Sequence, residues 1–214
     1  PRQTAEARMG AKTWMIAQAD GAVRPALESG APPDAAATAA FVHQCFPRDD
    51  YRADGSGTLV DTCPRGSRVV AGCWPGLRLI AHKGLAIDHP SRTKTAVIAP
   101  RGTTILHVTH SVVDWFAYAV WQDGQLQRAL SLNPDRGVIE DIGERLPFEQ
   151  RFWDGPRTED ESYPLPFHPL DLGEAALAAL FGYQLEGETD PNLLDPAGVT
   201  LLHFQRHRPW WRVW

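Results

Sequence analysis

Apolar residues along this chain fall into short runs separated by Gly and Pro, and only two segments repeat them at helical spacing. The run Trp14, Met15, Ile16, Ala17, Ala19, closed by Asp20-Gly21, predicts a buried first strand from Ala11 to Ala19. A loop with Pro25, Gly30, Pro32 and Pro33 then leads to Asp34, an N-cap for a helix in which Phe41, Val42, Cys45 and Phe46 share one face until Pro47. Arg48 to Gly57 is polar and glycine-bearing and reads as an exposed loop. Val69 to Trp74 and Leu77 to Ala81 flank Pro75-Gly76 as a tight strand pair, and Thr95 to Ala99 and Thr103 to Thr109 flank Pro100 and Gly102 in the same way.

The strongest local signal is Asp123-Gly124, a two-residue type I′ turn inside the hairpin Asp114 to Asn133. An unbroken register places Trp121 opposite Leu126, Ala117 opposite Leu130 and Trp115 opposite Leu132 on one apolar face. Phe116, Tyr118, Gln127 and Ser131 then occupy the other face, which a helix would cover or a cleft would use. Asn133 to Pro169 is proline-rich and reads as loop, with an acidic patch at Glu159 to Glu161. Asp171 and Glu174 read as a capping box for a helix carrying Leu177, Leu180 and Phe181 and closed by Gly182. The expectation is an α+β fold: a single domain with a mainly antiparallel sheet, a Trp-rich hairpin and two or three helices. It spans residues 9–202, between an extension at 1–8 and a Trp/Arg-rich tail at 203–214.

Composition narrows the function classes. With 43% hydrophobic and 22% charged residues the chain is neither disordered nor membrane-like, and its apolar runs are too short for a span. A net charge of -5 without a basic stretch gives no footprint for nucleic acid, and no nucleic-acid partner is expected. Cys45, Cys63 and Cys73 form no CxxC pair and suit a reducing, cytoplasmic setting, with a Cys63 to Cys73 bridge left open. Neither phosphate-cradling glycine loops nor GxSxG or HExxH motifs occur, which disfavours the commonest nucleotide-binding and hydrolase classes and leaves the cofactor unknown.

Candidate chemistry gathers at His107, His110, Ser111 and Asp114. On a straight strand His107 and His110 point to opposite faces, whereas His110 and Asp114 share one. They are candidates for a base and its orienter, or, with His82, for metal ligands, against the plainer reading of core histidines and an Asp that ends the hairpin facing Asn133. Cys73, in the turn-prone Gly72-Cys73-Trp74-Pro75-Gly76, is a candidate nucleophile, although an inert strand cysteine is the commoner outcome. Glu140, Asp141 and Glu144 read as a solvated loop rather than an acidic pair. The tail, with Arg206, Arg208, Trp210, Trp211, Arg212 and Trp214, has the residues of a protein interface or homodimer contact, or of a segment packed on its own sheet.

The segments Met9-Gly10-Ala11-Lys12-Thr13-Trp14, His110-Ser111-Val112-Val113-Asp114-Trp115-Phe116-Ala117-Tyr118-Ala119-Val120-Trp121, Ile139-Glu140-Asp141-Ile142-Gly143 and Tyr163-Pro164-Leu165-Pro166-Phe167-His168-Pro169-Leu170 resemble an uncharacterised family of actinobacteria, a domain of unknown function. That resemblance implies a cytoplasmic bacterial protein and carries over no catalytic residue. Two function classes follow: a non-enzymatic binding or protein-interaction module, and a small hydrolase or metal-dependent enzyme built on His110 and Asp114.

Overall fold

A computed structural model of the chain describes residues 12–94, 98–155, 163–187 and 190–207. Among these, nine strands form one antiparallel sheet in the order β2-β9-β3-β4-β1-β5-β6-β7-β8. The strands are β1 Lys12–Ala19, β2 Asp50–Thr58, β3 Arg68–Trp74, β4 Leu77–Ala81, β5 Thr103–His110, β6 Trp115–Gln122, β7 Gln125–Asn133, β8 Gly137–Ile142 and β9 Thr200–His207. The helices are α1 Arg24–Glu28, α2 Ala35–Cys45, α3 Pro147–Trp153 and α4 Pro169–Phe181. No described helix is long and apolar enough to cross a membrane.

The sheet is apolar on both faces because both are covered. Alternation along each strand sends Trp14, Ile16, Val69, Ala71, Leu106, Val108, Trp115 and Trp121 to the face where α2 contributes Phe41 and Val42. Met15, Ala17, Val70, Leu79 and Ile105 point the other way, against Leu27 of α1 and Leu177 and Phe181 of α4. Farther along that face Phe116, Tyr118, Leu130 and Leu132 meet Leu172 and Ala176 of α4, with Phe148, Phe152 and Trp153 of α3 beside them.

The α2 reading holds: the Asp34 carboxylate accepts from Ala37 N at 2.8 Å, satisfying an amide that the helix leaves unpaired. Replacing Asp34 by Ala is expected to cost about 1 kcal/mol in urea unfolding, and an unchanged midpoint would refute the capping role. The Pro75-Gly76 and Asp123-Gly124 hairpins also hold, the latter with positive φ at both turn residues, 50° and 77°.

Other expectations are corrected. Trp121 does face Leu126, but a bulge at Gln127 shifts everything beyond it, so Ala117 faces Ser131, Tyr118 faces Leu130 and Phe116 faces Leu132. The one-residue slip moves Leu130 and Leu132 to the face covered by α3 and α4, together with Arg128. Arg48 to Gly57 is not a loop but mostly the edge strand β2, whose polarity reflects its exposure, and it pairs with β9. The stretch expected to be loop after Asn133 contains β8 and α3, and the Pro25 loop contains α1. Helix α4 begins at Pro169, before the expected capping box: Glu174 does not reach back to cap it but accepts from Leu185 N at 2.8 Å. Ile98 and Ala99 lie outside any strand, while 95–97 lie outside the described residues.

The boundary expected after Leu202 falls inside β9, where Arg206 is opposite Tyr51 and pairs with Asp49 at 2.6 Å. The extension at 1–8, the acidic patch and Arg208, Trp210, Trp211, Arg212 and Trp214 lie outside the described residues.

Candidate functional site

The histidine-rich stretch splits as strand geometry requires. His107 turns toward α4 and is fully buried; its Nε2 lies 3.0 Å from the Gly173 carbonyl oxygen, and its Nδ1 2.7 Å from the Thr13 hydroxyl. A carbonyl only accepts, so Nε2 carries the hydrogen and Nδ1 accepts from Thr13. Burial pushes the imidazole down to about 4, which keeps it neutral. Its partners make His107 a clip between the sheet and α4. The fit is tight, since a Cβ on Gly173 would stand 2.7 Å from the Thr109 methyl.

His110 faces the other side, its ring 5.3 Å from Trp14 and its Nδ1 accepting from Val112 N at 3.3 Å. β5 ends at His110, and residues 111–114 form the turn into β6, with φ +45° at Asp114. The straight strand that would align His110 with Asp114, and Asp114 with Asn133, is therefore absent. His82 packs edge-on to Phe46 and accepts from Gly84 N at 3.1 Å. Among the described residues no group of three His, Cys, Asp or Glu side chains is placed to hold a metal ion. Cys73 is buried in β3 with its thiol pushed up by burial, and all three cysteines are free thiols. Asp141 pairs with Arg128 and Glu140 binds Ser91 at 2.7 and 2.9 Å, so neither belongs to a solvated loop.

What the fold does bring together is Asp114 and His168, at 3.6 Å between Oδ2 and Nε2. Two of the segments quoted for the family resemblance meet here. His168 precedes Pro169 at the start of α4, and Tyr163 stacks on it with 6.4 Å between ring centroids. The Tyr163 hydroxyl oxygen is buried without a hydrogen-bond partner, and burial, then Asp114 and Asp171, push its ionisation up.

Asp171 also lines a cleft of about 560 Å³ with Arg151, Phe152, Leu170, Glu174 and Glu186. Two elements build it, the end of α3 and the first two turns of α4, together with the segment that follows Tyr183. The Glu174 carboxyl inside it is raised to about 7. Burial is the main cause and like charges on Glu186 and Asp171 add to it, against backbone amides of Leu185 and Glu186 that favour the ionised form. The Asp171/Glu174 spacing predicts a helix cap and says nothing about the returning chain that buries Glu174.

Nearby, the Arg128 and Glu149 side chains are both inaccessible to solvent. Arg128 donates to both oxygens of Glu149, Nε to Oε1 at 2.9 Å and Nη2 to Oε2 at 2.6 Å, and also donates to Asp141 and to the carbonyls of Ile142 and Gly143. Glu149 additionally accepts from the Tyr118 hydroxyl at 2.5 Å, Leu146 N at 2.8 Å and Trp153 Nε1 at 3.3 Å. Burial alone would raise the Glu149 carboxyl, yet the Arg128 and Tyr118 hydrogen bonds hold it below its ordinary value. A carboxylate so saturated has no lone pair directed at a ligand, and the pair serves structure.

Residues 13–204 match the model of DUF6928, a family of unknown function, and the chain belongs to that family. No curated protein and no solved structure matches the chain.

Proposed function

We propose that this DUF6928 chain is a binding protein for a small cationic ligand, such as an amine, taken up in the cleft beside the start of α4. The observation that carries the reading is the Glu174 carboxyl, raised to about 7 inside a cleft of about 560 Å³. Asp171 and Glu186 outnumber Arg151 in the lining, while Phe152 and Leu170 offer apolar surface to the body of a ligand. The volume lies in the range of small-molecule sites.

A cation entering the cleft favours the ionised form of Glu174, so binding near neutral pH releases a proton and tightens as pH rises through 7. Calorimetry with 1,4-diaminobutane in two buffers of different ionisation enthalpy is expected to show that release. Glu174→Gln should abolish it and weaken binding by about tenfold, the loss of one charge-assisted contact. Absence of binding heat, or a Glu174→Gln variant that binds and releases protons as before, would defeat the proposal.

The interaction reading loses its hairpin surface, since Trp115 and Trp121 are spent on the chain's own core. The hydrolase or metal-dependent alternative now rests on Asp114 with His168 in place of His110. One equivalent of tightly held metal in the purified protein would favour it.

A further inference from the structure

A second cleft, of about 460 Å³, opens where the chain between β2 and β3 meets β9, and its lining includes Asp61, Cys63, Arg65, Arg68, His203 and Gln205. We infer that it is a binding site for a phosphate-like oxyanion, independent of the amine cleft. Two arginines and a histidine are among its lining residues. Arg65 is exposed, and Arg68 donates to Asp54 through Nη2 at 3.0 Å, a single bond from a group with five N–H donors.

The Nε2 of His203 is buried and has no hydrogen-bond partner. A buried polar atom left in that state costs about 1–3 kcal/mol, which a ligand hydrogen-bonded to that nitrogen would offset. The Asp61 carboxylate also lines the cleft, its Oδ2 accepting from Thr58 N at 2.7 Å to cap the turn Leu59–Asp61, and its one negative charge is set against two arginines. The Cys63 thiol, pushed up by burial and hence neutral, adds no opposing charge. Gly57 lets the chain pass close to both groups, because a Cβ there would stand 2.5 Å from His203 Nε2 and 2.2 Å from Asp61 Oδ2. Two guanidinium charges thus exceed the one carboxylate in the lining, and guanidinium groups suit the several oxygens of a phosphate.

The test is a titration of the intact protein with inorganic phosphate, followed by amide shifts in two-dimensional NMR, with sodium chloride of equal ionic strength as the control. Saturable shifts at Gly57, Arg65, Arg68 and His203 are expected with phosphate and not with chloride. Arg65→Ala, a surface change that leaves the core intact, should weaken binding by about tenfold. His203→Phe keeps an aromatic ring but removes the buried nitrogen, and should weaken phosphate binding. Equal shifts in phosphate and chloride, or unaltered phosphate affinity in the Arg65→Ala protein, would overturn the inference.

Discussion

Arg128→Leu is expected to lose about 3–5 kcal/mol of stability in urea unfolding, the largest effect of any single change considered. The substitution leaves Glu149, fully inaccessible, without its bidentate partner and frees the Ile142 and Gly143 carbonyls at the end of β8. Tyr118, Leu146 N and Trp153 still donate to Glu149, which argues for the lower half of that range. A double change, Arg128→Met with Glu149→Leu, removes both charges and should recover a large part of the loss, because an unpaired buried charge costs more than the absence of the pair. A single variant within about 1 kcal/mol of the parent would show that the network is worth no more than a surface ion pair.

Acidification is expected to produce the second large loss. His107 is neutral in the folded state, with its pKa lowered from 6.5 to about 4 by burial. Between those values the unfolded chain binds the proton and the folded chain does not, so stability is full above 6.5 and falls as pH drops toward 4. A shift of that size corresponds to about 3 kcal/mol at 1.36 kcal/mol per pH unit. His82, also lowered to about 4 by burial and by Lys94, acts in the same direction. Glu174 opposes them. Its folded value lies above the unfolded one, so its contribution is present at low pH and is lost as pH rises through about 7, weakened by partial exposure to solvent. Urea unfolding of the parent and of His107→Gln at pH 7 and pH 4.5 separates these terms. Equal losses in the two proteins would show that His107 is not the acid-sensitive group.

The parts of the fold legible in the sequence are those set by a few neighbouring residues. Asp123-Gly124 specifies its turn through positive φ, Asp34 its helix through one hydrogen bond, and the spacing of His107 and His110 their opposite faces. The bulge at Gln127 escaped because Leu126, Leu130 and Leu132 keep an alternating pattern with or without it. The available hint was Arg128, which an unbroken alternation would have set among those leucines on the face of Trp121. β2 was illegible for another reason: Asp50, Arg52 and Asp54 are polar because the strand lies at an edge, and its partner is far away in sequence. Tyr163, at least, stood in a segment singled out for the family resemblance, as did His168. That His168 meets Asp114 depends on how α4 docks, which no local spacing reports. The environment of Glu174 likewise depends on the chain returning after Tyr183.

The position of β9 between β2 and β3 bears on how the molecule is made. Residues 200–207 are translated long after both neighbours, so for most of synthesis β2 has no strand to join and one edge of β3 stays unpaired. Completion of that side of the sheet must wait until residues 200–207 have left the ribosome. Loop closure over some 150 residues makes this docking slow, and until it occurs the β3 edge, with Val69 and Val70, stays open to mispairing.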